Sequence, residues 1–538
     1  GDVYKRQQYA REFDMTNDSK LFPPRTKWEE QGYRPDEYSR WLKGEWRPIA
    51  ELWAELRVDP TQVTPPGAAL DDWLFDTTAG PDRRTVEARF VCGHLLKPGD
   101  IARTPARIRC AQPPYDALPI PRANIPAEII LSREADAWIR EERVEDVALP
   151  VYQGKMIWQF DPAFAGYGIE SASKWSELPW VAKVLQPRYL MSTSIERSAP
   201  AFGRILMRDV SSPTNQRTLI AAFAPSWPAG HKTPVLDLPG GTLDDRLALL
   251  AQLNSLTLDY FLRLRFAISG GGGSLVLATL GELALWEKKS LPIEVRRWMA
   301  HATLQMMGLE ATLGPAHLGM QEAEKSRKRC SAMTPHERLR LRCILDALNA
   351  FAVGMTAEEL RWILRDCDYP VVKSTDRKFT RELFGKGFWR IDKDRDPELR
   401  HTVLTIVAFN DLEAKIRESG GARDAGVLSF LAQNEGEGWT LPETLRLADY
   451  GLGHDEQSQH PRAVARELGP RFYDWQFVGD RINESAEVAM HAHHVTARQG
   501  LLPQPIVSAS VCSEAAQQNV EQQELFSTPS GHAGGRRR

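Results

Sequence analysis

The chain has 538 residues, 42% hydrophobic and 26% charged, with a formal net charge of −3. That hydrophobic share excludes wholesale disorder, and the length provides for about three domains, each able to bury its own core. Near-neutral charge excludes a polybasic, histone-like protein but leaves room for a local basic face on a neutral body.

The chain opens on Gly-Asp-Val-Tyr-Lys-Arg-Gln, without Met. This heptapeptide looks like an adaptor artefact, so truncation on the N-terminal side is expected. Residues 8–60 are polar and Trp-rich, with Trp28, Trp41, Trp46 and Trp53 punctuated by Pro23, Pro24, Pro35 and Pro48. The whole of 1–149 reads as an irregular Trp- and Pro-rich region, a remnant of or linker to a missing catalytic domain. Strand candidates within it are 85–92 and, demoted by Pro126, 125–131. The charged stretch 134–146 predicts a solvated helix. Over 150–320 short strands alternate with turns, the first strand at 151–160. The apolar stripe Leu247, Leu250, Leu253, Leu256, Leu258 and Leu262 then predicts one helix over 244–266.

Beyond Ser331 the pattern is helical. Thr334-Pro335-His336-Glu337 and Thr356-Ala357-Glu358-Glu359 are both capping boxes. Residues 501–538, ending in Arg-Arg-Arg, predict a disordered tail. The fold class expected is mixed α/β: short strands and helices over 150–320, then a mainly helical domain over 331–500. No apolar run reaches the roughly 20 residues of a membrane helix. There is no secretory leader pattern, and the six cysteines are scattered without a CxxC pair. A reduced, cytoplasmic protein with no membrane contact is expected.

Motifs for chemistry are few. Gln112-Pro113-Pro114-Tyr115 resembles the loop with which amino-methylating enzymes hold a flipped base. Gln is one methylene longer than the Asn used there, and the preceding 106–110 is too charged for a buried strand, so a proline-rich turn is the better reading. The stretch 160–168 resembles a glycine loop for S-adenosylmethionine, but Phe164 and Ala165 stand where small residues and glycine belong. A surface turn is preferred. The glycine run 270–273 lacks the Gly-Lys-Ser/Thr of a phosphate loop. The acidic stretch 392–396 fails as a calcium loop, with Pro397 at the turn-glycine position and Val403 at that of the bidentate Glu. Asp411 with Glu413 and Lys415 are too close to be a nuclease set, and His491, His493 and His494 lack a second ligand cluster, so no metal is expected.

The order of several segments resembles the large TaqI-like adenine-specific DNA methyltransferases, which include single-chain restriction–modification enzymes and phage-defence methylases. Leu149-Pro150-Val151-Tyr152-Gln153-Gly154-Lys155-Met156-Ile157-Trp158-Gln159-Phe160-Asp161 is similar to their LPLYEGKMI-QFD segment. Pro187-Arg188-Tyr189-Leu190-Met191, then 208–218 (Arg-Asp-Val-Ser-Ser-Pro-Thr-Asn-Gln-Arg-Thr) and 253–260 (Leu-Asn-Ser-Leu-Thr-Leu-Asp-Tyr) follow in the family's order. Looser likenesses at 337–347, 362–368, 387–390 and 445–455 extend it to residue 455.

The resemblance implies a target-recognition domain over 150–320 and a helical domain over 331–500. It further implies that the parent enzyme methylates the adenine amino group from S-adenosylmethionine, with the catalytic domain N-terminal to these segments. No catalytic, cofactor-binding or metal residue is therefore assigned to this chain, and it is not expected to hold the cofactor. Arg gives bidentate contacts to guanine or phosphate and Asn to adenine. On that chemistry and their segment positions, Arg208, Asn215, Arg217, Arg263 and Arg265 are expected to contact double-stranded DNA. The competing structural roles are an Arg208–Asp209 pair, and Arg263 and Arg265 as flanks of a core helix. Two other functions are open: a module docking restriction or phage-defence proteins, and a complete but divergent methyltransferase centred on 112–115.

Overall fold

The computed structural model describes residues 8–59, 89–91, 94–96, 125–307 and 332–471, apart from gaps at 127, 170, 172, 179–183, 196–202, 269–272, 275–280, 283–284 and 333. Residues 8–59 form β1 (Gln8–Ala10), α1 (Arg25–Glu30), β2 (Arg34–Pro35), β3 (Trp41–Gly44), β4 (Arg47–Pro48) and α2 (Ile49–Glu55). A hairpin of β5 (Arg89–Val91) and β6 (His94–Leu96) is followed by β7 (Ile129–Leu131), β8 (Ala137–Arg140) and β9 (Val144–Pro150). Next come β10 (Ala165–Tyr167), β11 (Trp175–Glu177), β12 (Leu190–Ser192), β13 (Arg204–Met207), β14 (Val210–Ser211), β15 (Ala221–Ala224) and β16 (Val235–Asp237). Helices α3 (Leu243–Leu253) and α4 (Leu256–Ile268), strand β17 (Gly273–Ser274) and α5 (Ile293–Met306) lead to the helical part. That part holds α6 (Pro335–Ala352), α7 (Ala357–Ile363), α8 (Val371–Thr375), α9 (His401–Glu418) and α10 (Arg423–Ala432). An antiparallel pair of β18 (Thr444–Leu445) and β19 (Arg462–Ala463) closes it. The fold is thus mixed α/β, with small antiparallel sheets.

Residues 8–44 are not irregular: they are built into larger sheets. In one sheet the strand order is β1-β16-β13-β15, and in another β12-β9-β3-β2, so residues 8–44 supply strands to sheets completed by residues up to 237. Buried charges fasten the same junction. Arg204 donates to both oxygens of Glu12 at 2.5 and 2.9 Å, and Arg11 lies 2.6 Å from buried Asp209.

Local departures from the sequence pattern have physical causes. The stretch 134–146 is β8, a 3-10 turn at Glu141–Arg143 and the start of β9, not a helix. Its charges cluster in the connection, while Ala137, Trp138 and Ile139 are all buried, and Arg47 and Arg140 cover the Trp138 ring. The expected strand at 151–160 is instead a 3-10 turn at Gly154–Met156 flanked by isolated bridges. The helix expected over 244–266 breaks in two at Asn254 and Ser255. Asn254 pairs its side-chain amide with both backbone groups of Ala221 (3.1 and 2.9 Å), behaving like one rung of a sheet. Ser255 Oγ accepts from Leu258 N at 3.2 Å and starts the second helix. Strand β7 leaves Pro126 outside, and β5 falls within 85–92.

Both capping sites form as expected: Thr334 Oγ1 accepts from Glu337 N and Thr356 Oγ1 from Glu359 N. Only the second is reciprocal, because Glu337 turns inward to meet Arg340. One apolar core runs from Phe160 through Leu249, Val295, Ile344 and Val407 to Val464. Helix α6 packs on α3, α4, α5 and α9, so the core continues across the expected boundary between 320 and 331. Among the described residues, no helix is long and apolar enough to cross a membrane. The stretches 112–115, 270–272 and 501–538, and His491, His493 and His494, lie outside the described residues.

Candidate nucleic-acid interface

Residues 212–216 make a polar turn that leaves β14 and stands on the surface. Asn215 N donates to Ser212 O at 3.1 Å, the Ser212 and Thr214 hydroxyls are 2.8 Å apart, and Thr218 Oγ1 donates to Ser212 O at 3.1 Å. Thr214, Asn215 and Gln216 are exposed, whereas Arg217 and Thr218 are buried. Among the described residues the side-chain amides of Asn215 and Gln216 have no protein partner.

The turn is held from behind by main-chain contacts to buried charge. Arg263 on α4 is wholly buried and donates to the carbonyls of Asn215 and Gln216 at 2.9 and 2.6 Å. Its other terminal nitrogen reaches the Lys386 and Gly387 carbonyls at 3.2 and 2.8 Å, and the guanidinium lies 4.1 Å over the Phe388 ring. Asp259, one helical turn back, accepts from Arg263 Nε at 3.1 Å and from the Thr218 amide at 3.1 Å, and forms an ion pair with Arg217, whose Nε lies 3.1 Å away. Arg217 also donates to the carbonyl of Asn254. Burial pulls the Arg217 guanidinium down, with Asp259 and Asp346 opposing. Asp346 accepts from Leu256 N at 2.7 Å and lies 2.8 Å from His401 Nε2, tying α4, α6 and α9 to the same polar centre.

At the other end of β14 lies a basic patch. Arg208 is half-buried, donates to the carbonyls of Gly154 and Ile157 at 2.9 and 2.6 Å, and stacks over Trp158 at 5.0 Å. Trp158 in turn stacks on Phe164, with centroids 5.2 Å apart. Burial brings the Arg208 guanidinium down to about 10. Asp209 therefore pairs not with Arg208 but with Arg11 and with Lys232, whose Nζ lies 3.2 Å away.

Of the five residues expected at DNA, the structure places only Asn215 and Arg265 in the open. Arg265 stands on the outer face of α4, 3.2 Å from the equally exposed Glu282. Arg217 and Arg263 have their guanidiniums committed to Asp259 and to carbonyls, and Arg208 to carbonyls and a ring, so these three are struts of the fold behind this surface. Gln216 and Lys155 are exposed too, and Lys232 keeps about half of its side chain open. Gln216 was legible as a polar neighbour of Asn215, but the lysines' proximity depends on a chain crossing with no sequence signal.

The stretch 160–168 is a buried turn leading into β10, not a surface turn, with Phe160, Pro162 and Ala163 all buried. It does not fit S-adenosylmethionine: a Cβ on Gly166 would meet Ile169 and Gln186 side-chain atoms at 2.5 and 2.6 Å, so no open cradle exists there. Asp411 accepts from Trp439 Nε1 at 2.6 Å, and Asp396 pairs with Arg462 at 2.7 Å. Among the described residues no cluster of three or more His, Cys, Asp or Glu is arranged to hold a metal. Comparison with protein-family models, with curated proteins and with solved structures finds no match.

Proposed function

We propose that the chain reads double-stranded DNA as the recognition and helical portion of a site-specific adenine methyltransferase of the TaqI-like group. The observation that carries this reading is the division of labour within 208–218. Its buried Arg217 and Thr218 anchor a turn whose exposed members, Thr214, Asn215 and Gln216, are donors and acceptors. Asn and Gln amides match the N6/N7 edge of adenine in the major groove. A turn whose main chain is fixed in advance loses little entropy on binding. The ordered family-like segments between 149 and 455 support the same reading. Methyl transfer from S-adenosylmethionine is then the work of residues other than those described.

Titration of the full chain with a randomised pool of duplexes at rising salt tests the proposal. Binding that falls steeply with salt and enriches particular sequences is the expected result. Failure to retain duplex even at low salt removes the DNA reading. It would leave a protein-docking module, a reading favoured by the exposure of Trp362 (58%) and Val372 (80%) on the helical part. Calorimetry with S-adenosylmethionine is expected to show no heat of binding. A clear binding isotherm would shift the assignment to a complete, divergent methyltransferase centred on 112–115.

A further inference from the structure

Resting on the DNA reading above, a second contact can be located beside the turn. Tyr152 and Ala229 form a parallel bridge, with Tyr152 N donating to Pro228 O at 2.8 Å and Gly230 N to Tyr152 O at 2.9 Å. Past this bridge the chain turns at Gly154–Met156, and Gly154, the residue before Lys155, lies against the main chain of Lys232. The backbones touch there: a Cβ on Gly154 would lie 3.2 Å from Lys232 O and 3.4 Å from Arg208 Cγ.

Two lysines that issue from adjacent stretches of main chain raise the local positive potential that an anionic partner meets. Lys155 is exposed, and Lys232 keeps 49% of its side chain open. Asp209 is buried beneath and shared between Lys232 and Arg11, while Asp14 is in electrostatic reach of Lys232 from the N-terminal segment. Arg208 adds a further cation. Four cations against two carboxylates leave the patch positive.

Only β14 separates Asp209 from Ser212. At ~3.3 Å per residue, Asp209 beneath the patch is about 10 Å of chain from Ser212, close to three base steps of ~3.4 Å. We propose that Lys155 and Lys232 grip the phosphodiester backbone of the duplex whose bases the turn reads. The lysines set position and the turn sets sequence, the usual separation of backbone and base contacts.

The test compares the slope of log affinity against log salt for the wild-type chain, Lys155→Gln, Lys155→Arg and the Lys155→Gln/Lys232→Gln double variant, each confirmed folded by circular dichroism. Each phosphate contact contributes ~0.9 to the slope, so its magnitude should fall by about 1 in the single and about 2 in the double variant. Lys155→Arg should retain it, and the sequences enriched from a randomised pool should stay the same in all four. Wild-type binding with an unchanged slope in both Gln variants overturns the clamp while leaving the DNA reading in place. Absence of any duplex binding by the wild-type chain overturns both.

Discussion

Arginines that resemble readers in the sequence are, in the fold, struts. Arg263 offers the sharpest expectation. Arg263→Ala would leave Asp259 facing Arg217 alone and free four carbonyls, so a loss of about 3–5 kcal/mol in stability is expected from urea unfolding. Arg265→Ala removes an exposed ion pair with Glu282 and should change stability by about 0–1 kcal/mol. Asn215→Ala and Gln216→Ala alter side chains that support nothing behind them. Stability should stay within about 0.5 kcal/mol while the sequences enriched from a duplex pool change. The exposure of Asn215 and Arg265 was legible in the sequence because turn chemistry and helix phase are local properties. The burial of Arg217 and Arg263 could not, because the carbonyls that receive them come from 254 and 386–387, remote in the chain.

Elements whose signals are local are placed well by sequence. The caps at Thr334 and Thr356 form because hydroxyl and amide lie within one turn, and Thr356→Ala should cost about 1 kcal/mol in a thermal melt. The strands at 137–150 were hidden because their charges are concentrated in a short connection, and the helix break at 254 because the leucine stripe continues through it in phase. At the first turn of α6, Glu337 has another task. It receives Arg340 at 2.7 and 2.6 Å and Arg471 at 2.7 Å. Burial raises the acid's pKa, but the two guanidiniums outweigh it and bring the carboxyl from 4.5 to about 2. A depressed carboxyl stabilises the fold above its unfolded pKa and loses that contribution on acidification. Unfolding free energy should therefore drop by on the order of 3 kcal/mol between about pH 4.5 and 2. Glu337→Gln should flatten that part of the profile in a urea series, at the cost of lower stability at neutral pH.

Across the whole molecule the core ignores the compositional change near 320–331. Because Val295, Ile344 and Val407 share one cluster, a single cooperative unfolding transition is expected by calorimetry. Two separate transitions would contradict it. Removing residues 1–59 strips β1 from β16 and β3 from β9, and leaves Arg204 without Glu12. Each orphaned buried charge costs about 3–5 kcal/mol, against a total stability of about 5–15 kcal/mol, so the truncated chain should fail to fold by circular dichroism. The composition of 1–149 concealed this, since strands of only two to four residues carry little period. The way Arg263 grips the turn at 212–216 has a consequence for change over time. It holds carbonyl oxygens, which every amino acid possesses, and it takes no hold on the side chains at 215 and 216. Those two positions can be rewritten without renegotiating the scaffold, so a lineage built on this frame can vary the chemistry its turn presents by two substitutions while its core stays as it is.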